Sequence, residues 1–373
     1  MAYEDVRDGS PYFNPSFGNR PLRIVGREHE LSLIDRGLRG MPGSELRAPI
    51  IIGQRSFGKT AMLIEAEAMA HDLGFATASV AVNRSMLQNV LDGLMTSGGK
   101  ILGMRAHVDE ITVGALGITL GVGLTRELAE VGGFQAKLGI MLDRLKERGL
   151  GACMLVDEIQ PNFEELRELT QAYQHFVGRG YNIALIMAGL PRCVSSTLND
   201  KVSTFLYRAE RIELGPIATD DIYLYFAQSF SKMNIVFDDG ELMNAAAACA
   251  GMPYMMQLMG RNLSMLATDG KAVGPSAVKE AASLSLEKLG RNVFAPCLDT
   301  MSERDIAFAR AMLKDGGASR AADLKKRLGM SDADYQQTRR RNIDNGIIIA
   351  RGYGSVAFAM PYFADYLRRE EIG

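Results

Sequence analysis

A glycine-rich segment near the N-terminus of the 373-residue chain separates an apolar stretch from an amphipathic one. Its residues are Gly53, Gln54, Arg55, Ser56, Phe57, Gly58, Lys59 and Thr60, which match Gly-x-x-x-x-Gly-Lys-Ser/Thr. In this pattern successive backbone N–H groups point at phosphate oxygens, and the following helix N-terminus adds a partial positive charge. We expect Lys59 to contact the β- and γ-phosphates and Thr60 to offer its hydroxyl to Mg²⁺. The segment therefore predicts a site for ATP or ADP with Mg²⁺.

Two carboxylates follow an apolar run about 95 residues after this segment. The run Met154-Leu155-Val156 predicts a buried strand, and Asp157 at its carboxyl end is suited to the Mg²⁺ shell. Glu158 comes next and is placed to polarise an attacking water as a general base. We therefore predict that Lys59, Asp157 and Glu158 are catalytic and that Thr60 and Asp157 are Mg²⁺ ligands.

The elements that must position these residues alternate in type along the first half of the chain. The hydrophobic pattern predicts strands over residues 48–54, 75–83, 153–158, 181–189 and 211–216. It predicts intervening helices that include residues 28–38, 59–73 and 85–104. The third and fourth strands are continuous apolar runs, which are typical of strands buried on both faces of a parallel sheet. The alternation predicts an α/β fold with a doubly wound parallel sheet.

Residues 108–125 interrupt the alternation with apolar residues at every second position. This period of two predicts a β-hairpin that turns near Gly114 and Ala115. One face of the hairpin is almost entirely Gly and Thr, so another molecule can approach it closely. A structural insertion and a contact with a partner or nucleic acid are both open.

The pattern becomes entirely helical after residue 217. Helices are predicted over residues 218–231, 239–249, 253–268 and 276–289, followed by a linker at 292–297. Three further helices, 302–313, 319–328 and 332–344, precede a hairpin within 347–360 and a final helix. This order predicts a winged helix-turn-helix. The predicted domains are a core with an N-terminal arm (1–216), a helical lid (217–297) and the winged helix (298–373).

The predicted winged helix is more basic than the rest of the chain. Residues 301–373 hold 13 Lys and Arg against 10 Asp and Glu, whereas the remainder holds 29 against 34. The residues suited to DNA bases and phosphates are Gln337, Arg339, Arg340 and Arg341 of its third helix and Arg351 of its wing. Double-stranded DNA is thus a candidate partner. The alternative is a module that binds a protein or inhibits its own chain.

Composition excludes several classes of protein. A net charge of −2 argues against a uniformly basic nucleic-acid coat protein, and 47% hydrophobic residues argue against intrinsic disorder. The four cysteines are far apart, which argues against a disulfide framework or a zinc site and fits a reducing compartment. The polar first residues and the short apolar runs predict neither a signal peptide nor a membrane span. We therefore expect a cytoplasmic protein.

Several short segments make the chain resemble a known group of ATPases. Two of them are the glycine-rich motif that ends at Thr60 and the acidic motif that ends at Glu158. The others are Ile24-Val25-Gly26-Arg27-Glu28, Ala188-Gly189-Leu190-Pro191-Arg192, Arg208 and Gly251-Met252-Pro253-Tyr254. Together they resemble AAA+-like P-loop ATPases of the archaeal-type and signalling (STAND) branch with a C-terminal winged helix, related to origin-recognition initiator ATPases. The resemblance spans about residues 21–367 and implies that Val25, Gly26 and Pro253 contact the nucleotide. It also implies an arginine finger at Arg208, with Arg211 as the alternative.

Some positions depart from the pattern of that group. Ala188 and Gly189 stand where many members carry an Asn or Thr that senses the γ-phosphate. The usual sensor arginine of the lid has no clear match, because Met252-Pro253-Tyr254 occupies that place. Ser56 and Phe57 replace the glycine and small residue that are common in the loop. These departures predict that nucleotide binding is retained and that hydrolysis is slow.

Two functional hypotheses follow from these observations. The first is an ATP-binding, slowly hydrolysing AAA+-like protein whose nucleotide state controls a winged-helix DNA-binding module, acting as a homo-oligomer. The second is a STAND-type signalling switch that holds ADP and whose winged helix is autoinhibitory or binds a protein partner. A third and weaker hypothesis is a kinase that uses the same loop, because no substrate-binding motif accompanies the loop in this sequence.

Overall fold

The computed structural model describes residues 12–15, 22–105, 131–198, 204–268, 270–352 and 354–370. Contacts group the chain into two units. The sheet unit comprises Glu28–Gly53 and Lys59–Glu213. The C-terminal unit takes its described residues from Met1–Arg27, Gln54–Gly58 and Leu214–Gly373. The three-part division made from the sequence stays a prediction.

The sheet unit is built on five strands. They are β1 (Ile50–Gly53), β2 (Phe75–Ala81), β3 (Gly151–Asp157), β4 (Ile183–Gly189) and β5 (Arg211–Leu214). Their spatial order is β2-β3-β4-β1-β5, and the β2–β3, β3–β4 and β4–β1 pairs are parallel. Because parallel strands end at the same edge, the segments that follow β1 and β3 leave the sheet on one side, with the end of β4 between them.

Helices cover the sheet, as the alternation of the sequence predicts. They are α1 (Glu28–Arg39), α2 (Lys59–Asp72), α3 (Met86–Arg105), α4 (Phe134–Lys146), α5 (Glu164–Gly178) and α6 (Pro191–Leu198). Short 3₁₀ turns occupy Glu45–Arg47 and Thr204–Arg208. Residues 152–156 of β3 and all of β4 are buried, because these strands have apolar side chains on both faces. The predicted α/β fold with a parallel sheet is confirmed.

The C-terminal unit is mainly helical. Its helices are α7 (Thr219–Lys232), α8 (Glu241–Ala247), α9 (Pro253–Leu266), α10 (Pro275–Leu289), α11 (Ala295–Asp299), α12 (Glu303–Met312), α13 (Ala321–Leu328), α14 (Asp332–Asp344) and α15 (Phe363–Glu370). A single π-helical turn, Gly290–Phe294, joins α10 to α11. Three short strands, β6 (Ala318–Arg320), β7 (Ile348–Ala350) and β8 (Ser355–Phe358), form an antiparallel sheet in the order β6-β8-β7.

One hydrophobic core runs through the whole C-terminal unit. It extends from Phe13, whose ring contacts Tyr225 edge-on at 5.6 Å, to Leu367 in α15. Phe294 packs against Phe363 at 5.3 Å between ring centroids, so the helices before and after residue 297 share buried surface. The helices α7–α10 and the C-terminal elements therefore form one packed body.

Two local sequence predictions need correction. Residues 292–297 were expected to form a linker but are helical, because Phe294 and Cys297 are buried in the common core. Strand β6 was not expected; it has three residues, and only Ser319 among them is buried. The predicted hairpin at 108–125 lies outside the described residues. In the part of the chain that the structure describes, no helix combines the length and apolarity that a bilayer crossing requires.

Candidate nucleotide-binding site

The glycine-rich segment forms a tight loop between β1 and α2. Ser56 and Gly58 both have a positive φ, 66° and 88°. Gly58 adopts this conformation without strain, whereas a serine in the left-handed region is disfavoured by roughly 1 kcal/mol. Residues other than glycine in such disfavoured backbone conformations cluster at functional sites.

Lys59 begins helix α2 at the end of this loop. Its ammonium group donates a 2.9 Å hydrogen bond to the Gly53 carbonyl, so the side chain folds back across the loop. The positive charge therefore lies at the start of a helix, where the backbone N–H groups of the first turn also favour an anion. This is the arrangement that the loop motif predicts for a phosphate site.

Thr60 and Asp157 are brought together although 97 residues separate them. The Thr60 hydroxyl donates a 2.6 Å hydrogen bond to Asp157 Oδ2, and Asp157 Oδ1 accepts the Glu158 N–H at 2.8 Å. A hydroxyl and a carboxylate are hard oxygen ligands of the kind Mg²⁺ prefers, together with water and substrate phosphates. The two residues thus fit the predicted ion. Within the described residues no group of three or more His, Cys, Asp or Glu could hold a metal ion by itself.

Glu158 follows Asp157 in a strained conformation and is exposed. Its φ is 55°, and the next residue, Ile159, donates its N–H to the Ala188 carbonyl at 2.9 Å. This turn lays Ile159 over the end of β4. A Cβ atom at Gly189 would lie 2.5 Å from Ile159 Cγ1. A side chain at residue 189 would therefore displace Ile159 at the end of β4.

The resemblance assigns three residues outside the loop to the nucleotide. Two of them, Val25 and Gly26, lie in the segment Met1–Arg27, which belongs to the C-terminal unit. Val25 is buried, and Gly26 has a φ of 64°. A Cβ at Gly26 would lie 2.9 Å from Asp221 Oδ2 and 3.0 Å from Ile217 Cγ2. The glycine is thus required both by its backbone conformation and by its neighbours.

The third such residue, Pro253, is the first residue of α9. Its Cγ lies 3.4 Å from the position that a Cβ on Gly58 would take, which places it against the loop. The next side chain, Tyr254, accepts a 2.8 Å hydrogen bond from Asn292 through its hydroxyl. Tyr254 thus joins α9 to the π-helical turn.

The remaining loop residues belong to the C-terminal unit. Phe57 is buried, whereas Gln54 and Arg55 are half-buried. Arg55 Nε donates a 3.1 Å hydrogen bond to the carbonyl of Asn345, the residue after α14. The motif identifies Arg55 as a variable loop position, so no sequence signal pointed to this contact.

The finger candidates lie in the sheet unit. Arg208 ends the second 3₁₀ turn, Arg211 begins β5, and both are exposed. Exposure suits an arginine that acts on another molecule, and their assignment stays a prediction.

The residues predicted to contact DNA differ in their environments. Gln337, Arg340 and Arg351 are exposed, and Arg339 is half-buried. Arg341 instead holds Asp305 of α12 with two hydrogen bonds, from Nε at 2.6 Å and from Nη2 at 2.7 Å. Among the described residues, Arg341 thus has an acidic partner that holds its guanidinium in place.

Asp305 is the buried centre of a network that the sequence reasoning missed. Besides Arg341 it accepts hydrogen bonds from Ser302 Oγ at 2.6 Å and Asn342 Nδ2 at 2.8 Å. Burial acts to raise the pKa of Asp305, but the Arg341 and Ser302 hydrogen bonds and the Arg341 charge outweigh it, so the pKa is lowered. The spacing Ser302-x-x-Asp305 before a helix is a capping-box signal that could have found it.

Solved structures of known proteins have a fold similar to that of this chain. The Walker-type ATPase PABY2304 of Pyrococcus abyssi superposes with a TM-score of 0.69 at 15% identity, covering 92% of this chain and 96% of that one. The ORC2 protein of Aeropyrum pernix, in its ADPNP-ADP complexes, gives 0.61 at 13% identity, covering 96% and 98%. Residues 291–367 match a family described as a domain of unknown function (DUF8462). No curated protein matches the chain. The chain therefore has the same fold as these two proteins.

Proposed function

We propose that the protein binds ATP with Mg²⁺, hydrolyses it slowly, and uses its nucleotide state to control a winged-helix DNA-binding module. The proposal rests on the 2.6 Å hydrogen bond from the Thr60 hydroxyl to Asp157. This bond connects the glycine-rich motif, which ends at Thr60, to the acidic motif after β3. The ADPNP and ADP complexes of the A. pernix ORC2 protein, which has a similar fold, support a nucleotide as the ligand.

Different residues of the chain would bind the phosphates, hold Mg²⁺ and activate water. The loop backbone from Gly53 to Gly58 would hold phosphate oxygens, and Lys59 would leave the Gly53 carbonyl to contact the β- and γ-phosphates. Thr60 and Asp157 would hold Mg²⁺, which when bound neutralises charge that develops on the phosphate oxygens. Glu158, exposed at the end of β3, would accept the proton of the attacking water. Val25, Gly26 and Pro253 would contact the remainder of the nucleotide.

The proposal of slow hydrolysis rests on the end of β4. Gly189 lies under Ile159 and carries no side chain that could contact a γ-phosphate. An arginine supplied by another subunit raises the rate of phosphoryl transfer by about 10³- to 10⁵-fold in enzymes that use one. We assign this role to Arg208, with Arg211 as the alternative, which makes full activity dependent on a homo-oligomer.

DNA binding is proposed for helix α14 and the segment between β7 and β8. Helix α14 presents exposed Gln337 and Arg340 and half-buried Arg339, and Arg351 lies between β7 and β8. The order of helices and strands supports the proposal of a winged helix-turn-helix, a motif whose recognition helix enters the major groove. Arg341 is omitted from the proposed contacts because its guanidinium is held by Asp305.

A direct test is ATP binding by the wild type, Lys59→Ala and the control Lys100→Ala, whose lysine is exposed on α3. We expect Lys59→Ala to weaken ATP binding by about 10- to 100-fold, because a charged hydrogen-bond donor is lost, and Lys100→Ala to leave it unchanged. Equal affinities in all three proteins would refute the nucleotide site.

A second candidate is a STAND-type switch whose C-terminal module acts on the chain itself. It is favoured by the common core of α7–α15, which packs the module onto the helices before it. Duplex DNA binding that weakens with salt, with a log–log slope of about −0.9 per phosphate neutralised, supports the first function. Tightly held ADP in the purified protein, with no binding of duplex DNA, supports the switch.

A further inference from the structure

The phosphate-binding loop has a direct hydrogen bond to the C-terminal module. Arg55 Nε and the Asn345 carbonyl are 3.1 Å apart, and both residues belong to the C-terminal unit. They are 290 residues apart in the chain. The contact joins the third residue of the nucleotide-binding motif to the end of the helix proposed to contact DNA.

The end of α14 explains why this carbonyl accepts a side-chain donor. Gly346 has a φ of 69° and its N–H bonds to the Ile343 carbonyl, while the Ile347 N–H bonds to the Asn342 carbonyl. This Schellman arrangement satisfies the carbonyls of residues 342 and 343 within the helix end. The Asn345 carbonyl receives Arg55 instead. A cation at a helix C-terminus is also stabilised by the helix dipole, so the contact holds the last turn of α14 in two ways.

The partner of Arg55 is a neutral acceptor. Among the described residues the side chain has no ion pair, and it donates a hydrogen bond to a backbone carbonyl. Hydrogen bonds between a guanidinium and a phosphate are roughly twice as strong as those to neutral groups, and arginine matches phosphate geometry. A phosphate held in the same loop would therefore compete with Asn345 for the Arg55 guanidinium.

We infer that Arg55 is the positioning residue that reports nucleotide occupancy of the loop to helix α14. The inference rests on the proposed function, since it requires that the loop binds a nucleotide. The Arg55 hydrogen bond holds the C-terminus of α14 against the loop. A nucleoside triphosphate draws the guanidinium to its phosphates and releases the helix end.

The release acts on the helix that carries the proposed DNA contacts. Arg339 and Arg340 of α14 lie two turns or less from Asn345, whereas Arg341 is bound to Asp305 of α12. A change at the last turn thus reaches the DNA-facing residues while the anchor to α12 is kept. The Arg55–Asn345 hydrogen bond would thus connect nucleotide binding in the loop to the position of α14.

The experiment is amide hydrogen exchange over residues 340–348 of the full chain, measured without nucleotide and with saturating Mg²⁺ and a non-hydrolysable ATP analogue. The variants are Arg55→Gln, the conservative Arg55→Lys, and the control Arg369→Gln, whose arginine is exposed on α15. Affinity for the analogue is measured separately for each protein by calorimetry.

Without nucleotide we expect Arg55→Gln to exchange about 3- to 10-fold faster than the wild type, the change that follows from losing one hydrogen bond and a dipole contact. Arg55→Lys should be intermediate and Arg369→Gln unchanged. The analogue should accelerate the wild type to the Arg55→Gln rate and accelerate Arg55→Gln no further. Unchanged exchange in nucleotide-free Arg55→Gln, or in wild type saturated with the analogue, overturns the inference. Failure of the wild type to bind the analogue refutes the proposed function instead, and is seen in the calorimetry alone.

Discussion

Thr60 Oγ1 lies 2.6 Å from Asp157 Oδ2, although the two residues are on different elements of the sheet unit. Thr60 is in the first turn of α2, and Asp157 is the last residue of β3. The spatial order of the strands places β4 between β3 and β1, so the contact spans the carboxyl end of β4. It brings the side-chain oxygen atoms of the two motifs together at one edge of the sheet.

Removal of the Thr60 hydroxyl should weaken Mg²⁺-dependent ATP binding. We expect Thr60→Ala to lower ATP affinity by about 10-fold in Mg²⁺, because an oxygen ligand is lost, and to leave affinity in EDTA unchanged. Thr60→Ser keeps the hydroxyl and serves as the control, with near wild-type affinity. Calorimetry with and without Mg²⁺ measures both. An equal loss in EDTA for Thr60→Ala would show that the residue shapes the loop and does not hold the ion.

Neutralising Glu158 should separate binding from turnover. Glu158→Gln keeps the size of the exposed side chain and the hydrogen-bonding of its backbone, but removes the carboxylate that would accept a proton. We expect ATP affinity to stay within about 2-fold while the hydrolysis rate falls by about 10²- to 10⁴-fold, the usual contribution of a general base. Phosphate release under saturating ATP measures the rate. Wild-type turnover in this variant would exclude Glu158 as the base.

The sequence predicts the sheet and the motif residues because their signals are local. The apolar runs of β3 and β4 require burial on both faces, and the spacing from Gly53 to Thr60 requires a loop before a helix. The proximity of Thr60 to Asp157 also follows once both motifs are placed at the same edge of a parallel sheet.

Contacts that depend on packing between distant segments escape sequence reasoning. Phe294 and Cys297 look like part of a linker in isolation, and only the common core shows why they are helical. Arg341 looks like its neighbour Arg340, yet helix phase turns Arg341 towards Asp305 and leaves Arg340 exposed. Arg55 occupies a motif position that allows any residue, so the sequence gives no indication of its contact with Asn345.

A side chain at Gly189 should disturb the turn at Glu158 and Ile159. The Cβ of Gly189→Ala would lie 2.5 Å from Ile159 Cγ1, and Ile159 follows the proposed general base directly. Overpacking of this kind destabilises by about 1–3 kcal/mol, and we expect hydrolysis to fall further as Glu158 moves. Denaturant unfolding and phosphate release measure the two effects. Gly99→Ala in α3 is the control, because its Cβ meets nothing within 4 Å, and it should be neutral or stabilising. Equal stability of both variants would contradict the packing.

The Asp305 network should make the C-terminal unit sensitive to acid. The folded pKa of Asp305 is lowered, so its stabilising contribution is complete above the ordinary carboxylate pKa of about 3.9 and is lost as the pH falls through the folded value. Asp305→Asn should remove this part of the acid dependence and, near pH 7, destabilise by about 2–3 kcal/mol because Arg341 loses its charged partner. Asp365→Asn breaks an exposed pair with Arg368 and should cost less than about 1 kcal/mol. Urea unfolding across pH 2.5–7 measures these differences. An acid dependence that persists in Asp305→Asn would assign it to other carboxylates.

Substitution of two neighbouring arginines of α14 should affect different properties: Arg340→Gln should weaken DNA binding, and Arg341→Gln should lower stability. Arg340 is exposed, so Arg340→Gln should weaken duplex DNA binding, reduce the log–log salt slope by about 1 and leave the melting temperature unchanged. Arg341 binds Asp305, so Arg341→Gln should lower the melting temperature and, under conditions where the variant is folded, leave the salt slope unchanged. Fluorescence anisotropy at several salt concentrations and calorimetric melting separate the two effects, with Arg369→Gln as the control for loss of one exposed charge. A salt slope that falls equally in Arg340→Gln and Arg369→Gln would indicate general charge attraction in place of a contact by α14.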